Sequence, residues 1–334
     1  MENGKKILII RFSSFGDVVQ SLSAVTALTQ KFPNADIHWL VRKEFADILY
    51  AEPRIHKVWS FDRKKGLSGL IRLAFSLSSQ NYTVIYDAHN NLRSKIVSFV
   101  IRIFARNNLL LRRPKSRIKR LLLFKFGLNK FPSPFKGVTS YLAPLIPLGI
   151  DTNPIMHQDW KFTDQVKKKV DALIPDYTHN IIIVPSAAHA MKRWPIDHWK
   201  KLIKLLPTLK FTILGGPTDT FCEEIAQEDK MRVQNLAGQL SLIESCYAIS
   251  QGYYIVSADT GLLHVADLFG KPAIALIGPS AFGFPSGDQV TTITLPMNCR
   301  PCSKDGSGHC KNTLYQRCMV EITPEMVVAA IHEK

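Results

Sequence analysis

No part of this 334-residue chain strings together the roughly 20 apolar residues that a membrane-spanning helix needs. The N-terminus, MENGKKILIIRFSS, has an apolar core of four residues, too short for a signal peptide. The expected location is therefore the cytoplasm. A G-x-G-x-x-G turn is missing, which excludes the usual dinucleotide fingerprint. G-x-x-x-x-G-K-[ST] is missing too, which excludes a Walker loop. D-x-D, an acidic pair suited to holding a metal against a diphosphate, does not occur. Acids themselves run out in one region: none lies between Asp87 and Asp151.

What fills that region is positive charge. The whole chain carries 43 Lys and Arg against 27 Asp and Glu. Residues 1–150 hold 25 of the cations and 8 of the acids, leaving 18 and 19 for the rest. Thirteen cations stand between Arg93 and Lys136, among them Arg113, Arg117 and Arg120. A field of one sign attracts an anion: nucleic acid, an anionic membrane or a phosphorylated substrate. Ile118, Leu121, Phe124 and Phe126 are woven through it, which favours a membrane surface over a nucleic-acid groove. A basic helix with its apolar side in the core accounts for the leucines, but not for the missing acids.

The apolar spacing alternates between strand and helix. Strands are expected at Lys5–Phe12, Ile37–Val41, Lys57–Phe61, Tyr82–Asp87 and Leu109–Leu111. Helices are expected at Gly16–Lys31, Phe45–Ala51, Leu67–Leu77 and Leu92–Phe104. Residues 131–160 contain Pro132, Pro134, Pro144, Pro147 and Pro154, and read as an irregular tail and linker. After a polar helix at Phe162–Leu173 the alternation restarts at Ile181 and runs to Ile277. The fold class is α/β: two Rossmann-like, doubly wound domains, 1–155 and 156–334, facing a cleft. In such sheets ligands sit at the carboxyl ends of the strands.

Four stretches at strand ends can carry chemistry. Tyr253–Gly278 reads strand, turn, helix, strand, with Asp259, Thr260 and Gly261 at the turn and His264 one helical turn on. A small-residue turn at a helix N-terminus suits phosphate; an ordinary capped helix with a buried histidine suits the same residues. The first strand ends in Arg11-Phe12-Ser13-Ser14-Phe15-Gly16-Asp17. Asp17 is either an acceptor of a hydroxyl proton or an N-cap. Ser186-Ala187 leads to Lys192, Arg193, Trp194 and Pro195, with Pro195 expected as the first helical residue. The two cations suit a diphosphate or a solvated loop. Gly215-Gly216-Pro217-Thr218-Asp219 suits a nucleoside edge or a plain turn. Cys222 and Cys246 look structural. Cys299, Cys302, Cys310 and Cys318 include one C-x-x-C and could bind zinc, although the later pair is widely spaced.

Four motifs in this order resemble glycosyltransferase family 9, the ADP-heptose:lipopolysaccharide heptosyltransferases. They are R-F-S-S-F-G-D, the Asp87–Ser94 stretch with His89 and Arg93, K-R-W-P, and A-D-T-G-L-L-H with G-K-P behind it. The resemblance covers nearly the whole chain. It implies a GT-B fold, with a lipid-linked acceptor on the first domain and the nucleotide sugar on the second. It implies inversion at the anomeric carbon, with Asp17 as base. Lys192 would contact the donor phosphates. Asp259, Thr260, Gly261 and His264 would form the donor-binding block. Ser14, Gly16, His89, Arg93, Arg113, Arg117 and Arg120 are expected on the acceptor side. ADP-heptose is the implied donor, with no cofactor required. The implied partner is an anionic lipid-linked oligosaccharide, met by peripheral contact with the inner face of the inner membrane, and no nucleic acid. Two positions depart from the pattern. A Thr pair of some relatives reads Ser186-Ala187 here, and an acid meant for the ribose reads Pro217, leaving Asp219 as substitute. A different nucleotide sugar or glycan acceptor, and a non-catalytic basic membrane-binding protein on the same scaffold, stand as alternatives.

Overall fold

The computed structural model describes residues 4–105, 107–153 and 158–333. Arg106, Pro154 and the boundary expected between 155 and 156 lie outside the described residues. In chain order the elements are β1 (Lys6–Ile10), α1 (Phe15–Ser21), α2 (Ser23–Lys31), β2 (Asp36–Arg42), α3 (Ala46–Tyr50), β3 (Lys57–Phe61), α4 (Gly66–Ser78), β4 (Val84–Asp87), α5 (Leu92–Phe104) and β5 (Leu109–Arg112). There follow α6 (Arg117–Phe126), α7 (Gly137–Leu142) and α8 (Asp164–Leu173). Next come β6 (Asn180–Val184), α9 (Ile196–Leu205), β7 (Lys210–Ile213), α10 (Phe221–Ala226), β8 (Val233–Asn235) and α11 (Leu242–Gln251). The last are β9 (Tyr254–Ala258), α12 (Gly261–Leu268), β10 (Ala273–Leu276), β11 (Val290–Ile293), α13 (Arg317–Val320) and α14 (Pro324–His332).

Two compact units result. One comprises Met1–Ser116 and Val138–Lys161, the other Arg117–Gly137 and Phe162–Lys334. The first holds a parallel sheet in the order β3-β2-β1-β4-β5. Ile7, Leu8, Ile9 and Ile10 are completely buried, as a central strand covered on both faces requires. Each such side chain contributes about 1.5–3 kcal/mol by leaving water. The second holds a parallel sheet in the order β11-β10-β9-β6-β7-β8. Strand order reverses between β1 and β4 in the first sheet and between β6 and β9 in the second. A doubly wound sheet opens a crevice at that reversal, beyond the carboxyl ends of its strands.

The structure departs from pattern reading in three places. The helix expected over Gly16–Lys31 is two, meeting at Leu22. Serine hydroxyls compete for the carbonyls there: Ser21 Oγ donates to Asp17 O and Ser23 Oγ to Gln20 O, both at 2.7 Å. The proline-rich stretch is not wholly irregular. Residues 137–142 lie between Pro134 and Pro144 and contain no proline, so α7 forms. Pro144 then opens a 3₁₀ turn, Ala143–Leu148, where its missing N–H costs little. Finally, residues 117–137 leave the first unit for the second. Aromatic packing explains the move: Phe131 and Phe135 meet Phe282 at ring distances of 5.1 and 4.8 Å. Lys136 Nζ adds a hydrogen bond to Ser286 O at 3.2 Å.

Candidate active site

In the first unit the reversal point is occupied by Asp17. Ser14 caps α1, and Asp17 is its third residue rather than the cap. Its Oδ2 accepts from Ser14 N at 3.3 Å and Ser14 Oγ at 2.8 Å, and pairs with Arg11 Nη2 at 2.5 Å. Its Oδ1 accepts from the Tyr141 hydroxyl at 2.7 Å. Burial alone would raise this carboxyl. The Arg11 guanidinium, then the Tyr141 and Ser14 hydroxyls, outweigh it and hold Asp17 well below the usual carboxylate range. The group is thus ionised throughout the physiological range and still about a third exposed, at 36%. Gly16 precedes it in the first turn of α1.

The surrounding residues fix that geometry. Arg11 is buried and donates from Nη1 to Ala88 O at 2.9 Å, tying the end of β1 to the end of β4. Arg113 lies 4.0 Å over the Tyr141 ring and donates to Ser140 Oγ at 2.9 Å. Tyr86 donates to Tyr141 O at 2.6 Å. Asp87, completely buried, accepts from the backbone of His89 and Asn90 and from Ser94 Oγ. His89 stacks edge-on against Phe12. Burial, with Arg11 nearby, pushes its imidazole down to about 3, so it is neutral at physiological pH.

In the second unit the reversal point holds a buried ion pair. Lys192 ends a 3₁₀ turn after β6, and its Nζ lies 3.0 Å from Asp259 Oδ2, at the end of β9. Ser280 Oγ donates to the same oxygen at 2.5 Å. Gly283 leaves room for this cluster, because a Cβ there would overlap the Asp259 carboxylate. Thr260 is the N-cap of α12, and its side chain makes no capping bond. The N–H groups that open this helix, starting at Gly261, therefore offer donors and a positive dipole end. His264 is buried in the second turn. Three residues on, Asp267 accepts from Ser286 N and Gly287 N; burial, the strongest influence, still raises its carboxyl.

The nucleoside-edge candidates are close-packed. Ser186 is buried, with its Oγ 3.9 Å from Cys222 Sγ. Ala187 O accepts from both Arg193 Nε and Nη2. Asp219 is engaged on both oxygens, by Gly216 N at 2.8 Å and Arg193 Nη2 at 3.3 Å. Pro195 is the N-cap of α9, one position before the expected one.

Several expected residues stand elsewhere. Arg93 is exposed on α5 and borders an open cavity of about 450 Å³. Arg117 and Arg120 belong to the second unit, and Arg120 lies 5.0 Å over Phe282. Cys299, Cys302, Cys310 and Cys318 border one void of about 10 Å³. Yet among the described residues no three His, Cys, Asp or Glu side chains form a metal cage. Gln316 N donates to Cys310 Sγ at 3.3 Å, and burial pushes the Cys318 thiol up to about 11. The zinc reading thus finds no preformed cage.

Pattern reading missed Arg11, Tyr141, Ser280 and Gly283. Arg11 did carry a signal, a charge at the end of an apolar strand. Tyr141 and Ser280 carried none, because only folding brings them to Asp17 and Asp259.

Comparison with known proteins adds what geometry alone lacks. The family model described as glycosyltransferase family 9 (heptosyltransferase) matches residues 70–311. Lipooligosaccharide heptosyltransferase 2 of Haemophilus influenzae is 28% identical, over 98% of each chain. The glycosyl transferase family 9 structure from Veillonella parvula aligns with a TM-score of 0.79 at 18% identity, covering 100% of this chain and 98% of that one. E. coli heptosyltransferase WaaC, solved with ADP, aligns at 0.70 and 19%, covering 98% and 99%. The fold is GT-B.

Proposed function

The chain belongs to glycosyltransferase family 9, and on that premise we propose that it moves heptose from ADP-heptose to a hydroxyl of the lipopolysaccharide inner core. Relatives named lipooligosaccharide or lipopolysaccharide heptosyltransferase support the substrate class. The WaaC structure with ADP supports the nucleotide. The observation that carries the reading is the Lys192–Asp259 pair beside the open N-terminus of α12 at the reversal point of the second sheet.

The first unit takes the acceptor and the second the donor. An acceptor hydroxyl approaches Asp17 and displaces one of its present hydroxyl partners, Ser14 or Tyr141. As its oxygen bonds to the anomeric carbon, its proton passes to the Asp17 carboxylate. The bond from that carbon to the diphosphate oxygen breaks, and ADP leaves with the electron pair. Attack from the face opposite the leaving group inverts the anomeric centre. Lys192 and the α12 N–H groups offset the charge on the departing diphosphate. For this, Lys192 must turn from Asp259 to phosphate. The acceptor is anionic, and the acid-free basic stretch supports peripheral work at the cytoplasmic face of an anionic membrane.

The test is incubation of the purified chain with ADP-heptose and heptose-deficient lipopolysaccharide. The expected product gains one heptose by mass, and its new anomeric centre is opposite in configuration to the donor's by NMR. Retained configuration removes the single-displacement mechanism. No product with ADP-heptose, but product with another nucleotide sugar, removes the donor assignment. That second outcome has its own motive, since Asp219 is already engaged by Arg193 and Gly216.

A further inference from the structure

We propose that the outward face of α4 and α5 in the first unit docks on an anionic bilayer surface; this rests on the reading of a lipid-linked acceptor and names the surface that meets the lipid. From Arg63 to Ile150 the sequence holds a single acid, Asp87. That acid is completely buried, bonded to Ser94 and close to Arg112. The described surface of this stretch therefore bears no carboxylate, although it is rich in arginine and lysine.

The apolar pattern is equally one-sided. On α4, Leu70, Ala74 and Leu77 form the buried stripe, as a core-facing helix demands. Phe75, on the other side, is 49% exposed, and Leu67, in the first turn and one turn before Leu70 on the stripe's own side, is 58% exposed. On α5, Val97 and Ile101 are buried, whereas Leu92, Phe99 and Ile103 are 75%, 66% and 48% exposed. The Phe75 and Phe104 rings meet edge-on at 5.5 Å, and Phe104 is itself 62% exposed. Arg72, Arg93, Lys95 and Arg102, on the same two helices, are exposed too. A solvated helix pair presents polar residues outward. This pair presents large apolar side chains with cations at the margin, the composition of a surface that lies in a membrane interface.

Charge decides between occupants. A protein partner can be met by cations and acids alike, and its surface carries both. A face so poor in carboxylates complements a uniformly anionic plane. Two open cavities sharpen this. One of about 450 Å³ is lined by Arg63 and Arg93 together with Leu67, Leu70 and Leu92. The other, of about 480 Å³, has Arg102 and Arg112 beside Phe99 and Ile103. Each brings guanidinium groups and apolar side chains to one opening, the two chemistries of a phosphate headgroup and its acyl chain. Helix α6 also exposes Ile118, Leu121 and Phe126 among cations and is varied separately. It serves as the internal control.

The experiment is co-sedimentation of the full chain with phosphatidylglycerol-rich vesicles and with pure phosphatidylcholine vesicles. The parent should bind the former and release on added salt. The triple variant Phe75→Ser/Phe99→Ser/Ile103→Ser should bind about tenfold or more weakly. It should keep its turnover on a deacylated, water-soluble acceptor. The control Ile118→Ser/Leu121→Ser should bind within about twofold of the parent. Because the triple variant can fail to fold, Phe99→Trp is measured as well. Brominated phosphatidylglycerol should quench its added emission relative to the parent. Unchanged binding by a folded triple variant, loss confined to the α6 control, or unquenched added emission in Phe99→Trp overturns the assignment. If vesicle binding follows these expectations but no lipopolysaccharide accepts heptose, the docking face stands and the acceptor reading fails.

Discussion

At the scale of single residues, the central carboxylate is unusually well partnered. Arg11, Tyr141 and Ser14 all donate to Asp17, which keeps it ionised but makes it a weak base at rest. Its depressed pKa means that the ionised form is lost only as pH falls below the ordinary carboxylate value of about 3.9. The acid limb of kcat/KM due to Asp17 should therefore lie below that value. In Arg11→Gln it should rise by about 1–2 pH units, the weight of one charge-assisted hydrogen bond. A limb that stays in place would show that Arg11 does not tune the carboxylate. His89 yields a stability prediction. Its pKa is about 3 in the folded chain against about 6.5 unfolded, so the unfolded state binds the extra proton between those values. The contribution is present above about pH 6.5 and is lost as pH falls through that window. His89→Asn should flatten the decline of Tm between those limits, and an unchanged slope would contradict this. Although the motif suited an N-cap equally, a position that Ser14 takes instead, the place of Asp17 beyond an apolar strand was legible. Its partner Tyr141 was not, because it lies 124 residues away on a short helix between prolines.

At the scale of elements, the strands with continuous apolar runs were legible, and β3 and α5 match the spacing to the residue. Those ruled by packing were not. β11 reads Val-Thr-Thr-Ile and has only its two ends buried, so no apolar run marks it. α7 forms in a proline-rich stretch because Val138, Tyr141 and Leu142 have a core to enter. The element that carries the donor proposal is α12, whose opening N–H groups have no side-chain cap. Lys192→Ala, which removes the cation beside it, should weaken ADP binding about 10- to 150-fold, the value of about 1.5–3 kcal/mol for a bond to a charged group. Isothermal titration checks this, and unchanged affinity would place the diphosphate elsewhere. Gly283→Ala should lower turnover as well, since its methyl group collides with the Asp259 carboxylate. Wild-type turnover in that variant would mean that Asp259 is free to move.

At the scale of the whole molecule, the alternation of strand and helix disclosed two doubly wound units. It did not disclose that residues 117–137 join the second, since contacts of Phe124, Phe131 and Phe135 with Phe282 decide that. Charge density marked an acid-free basic region, but not its outward face, which depends on which side of α4 and α5 the core claims. If cations and a helix end do the work that a metal does elsewhere, activity should persist in EDTA, with circular dichroism confirming an intact fold. A loss that added metal restores would refute this. The division of labour between the units is tested most directly by Asp17→Asn, measured for ADP affinity and for heptose transfer in the same preparation. Transfer should fall by about 10²–10⁴, the usual weight of a general base, while ADP affinity stays within about twofold. Near-parental transfer, or a collapse of ADP affinity with the fold intact, would contradict the account.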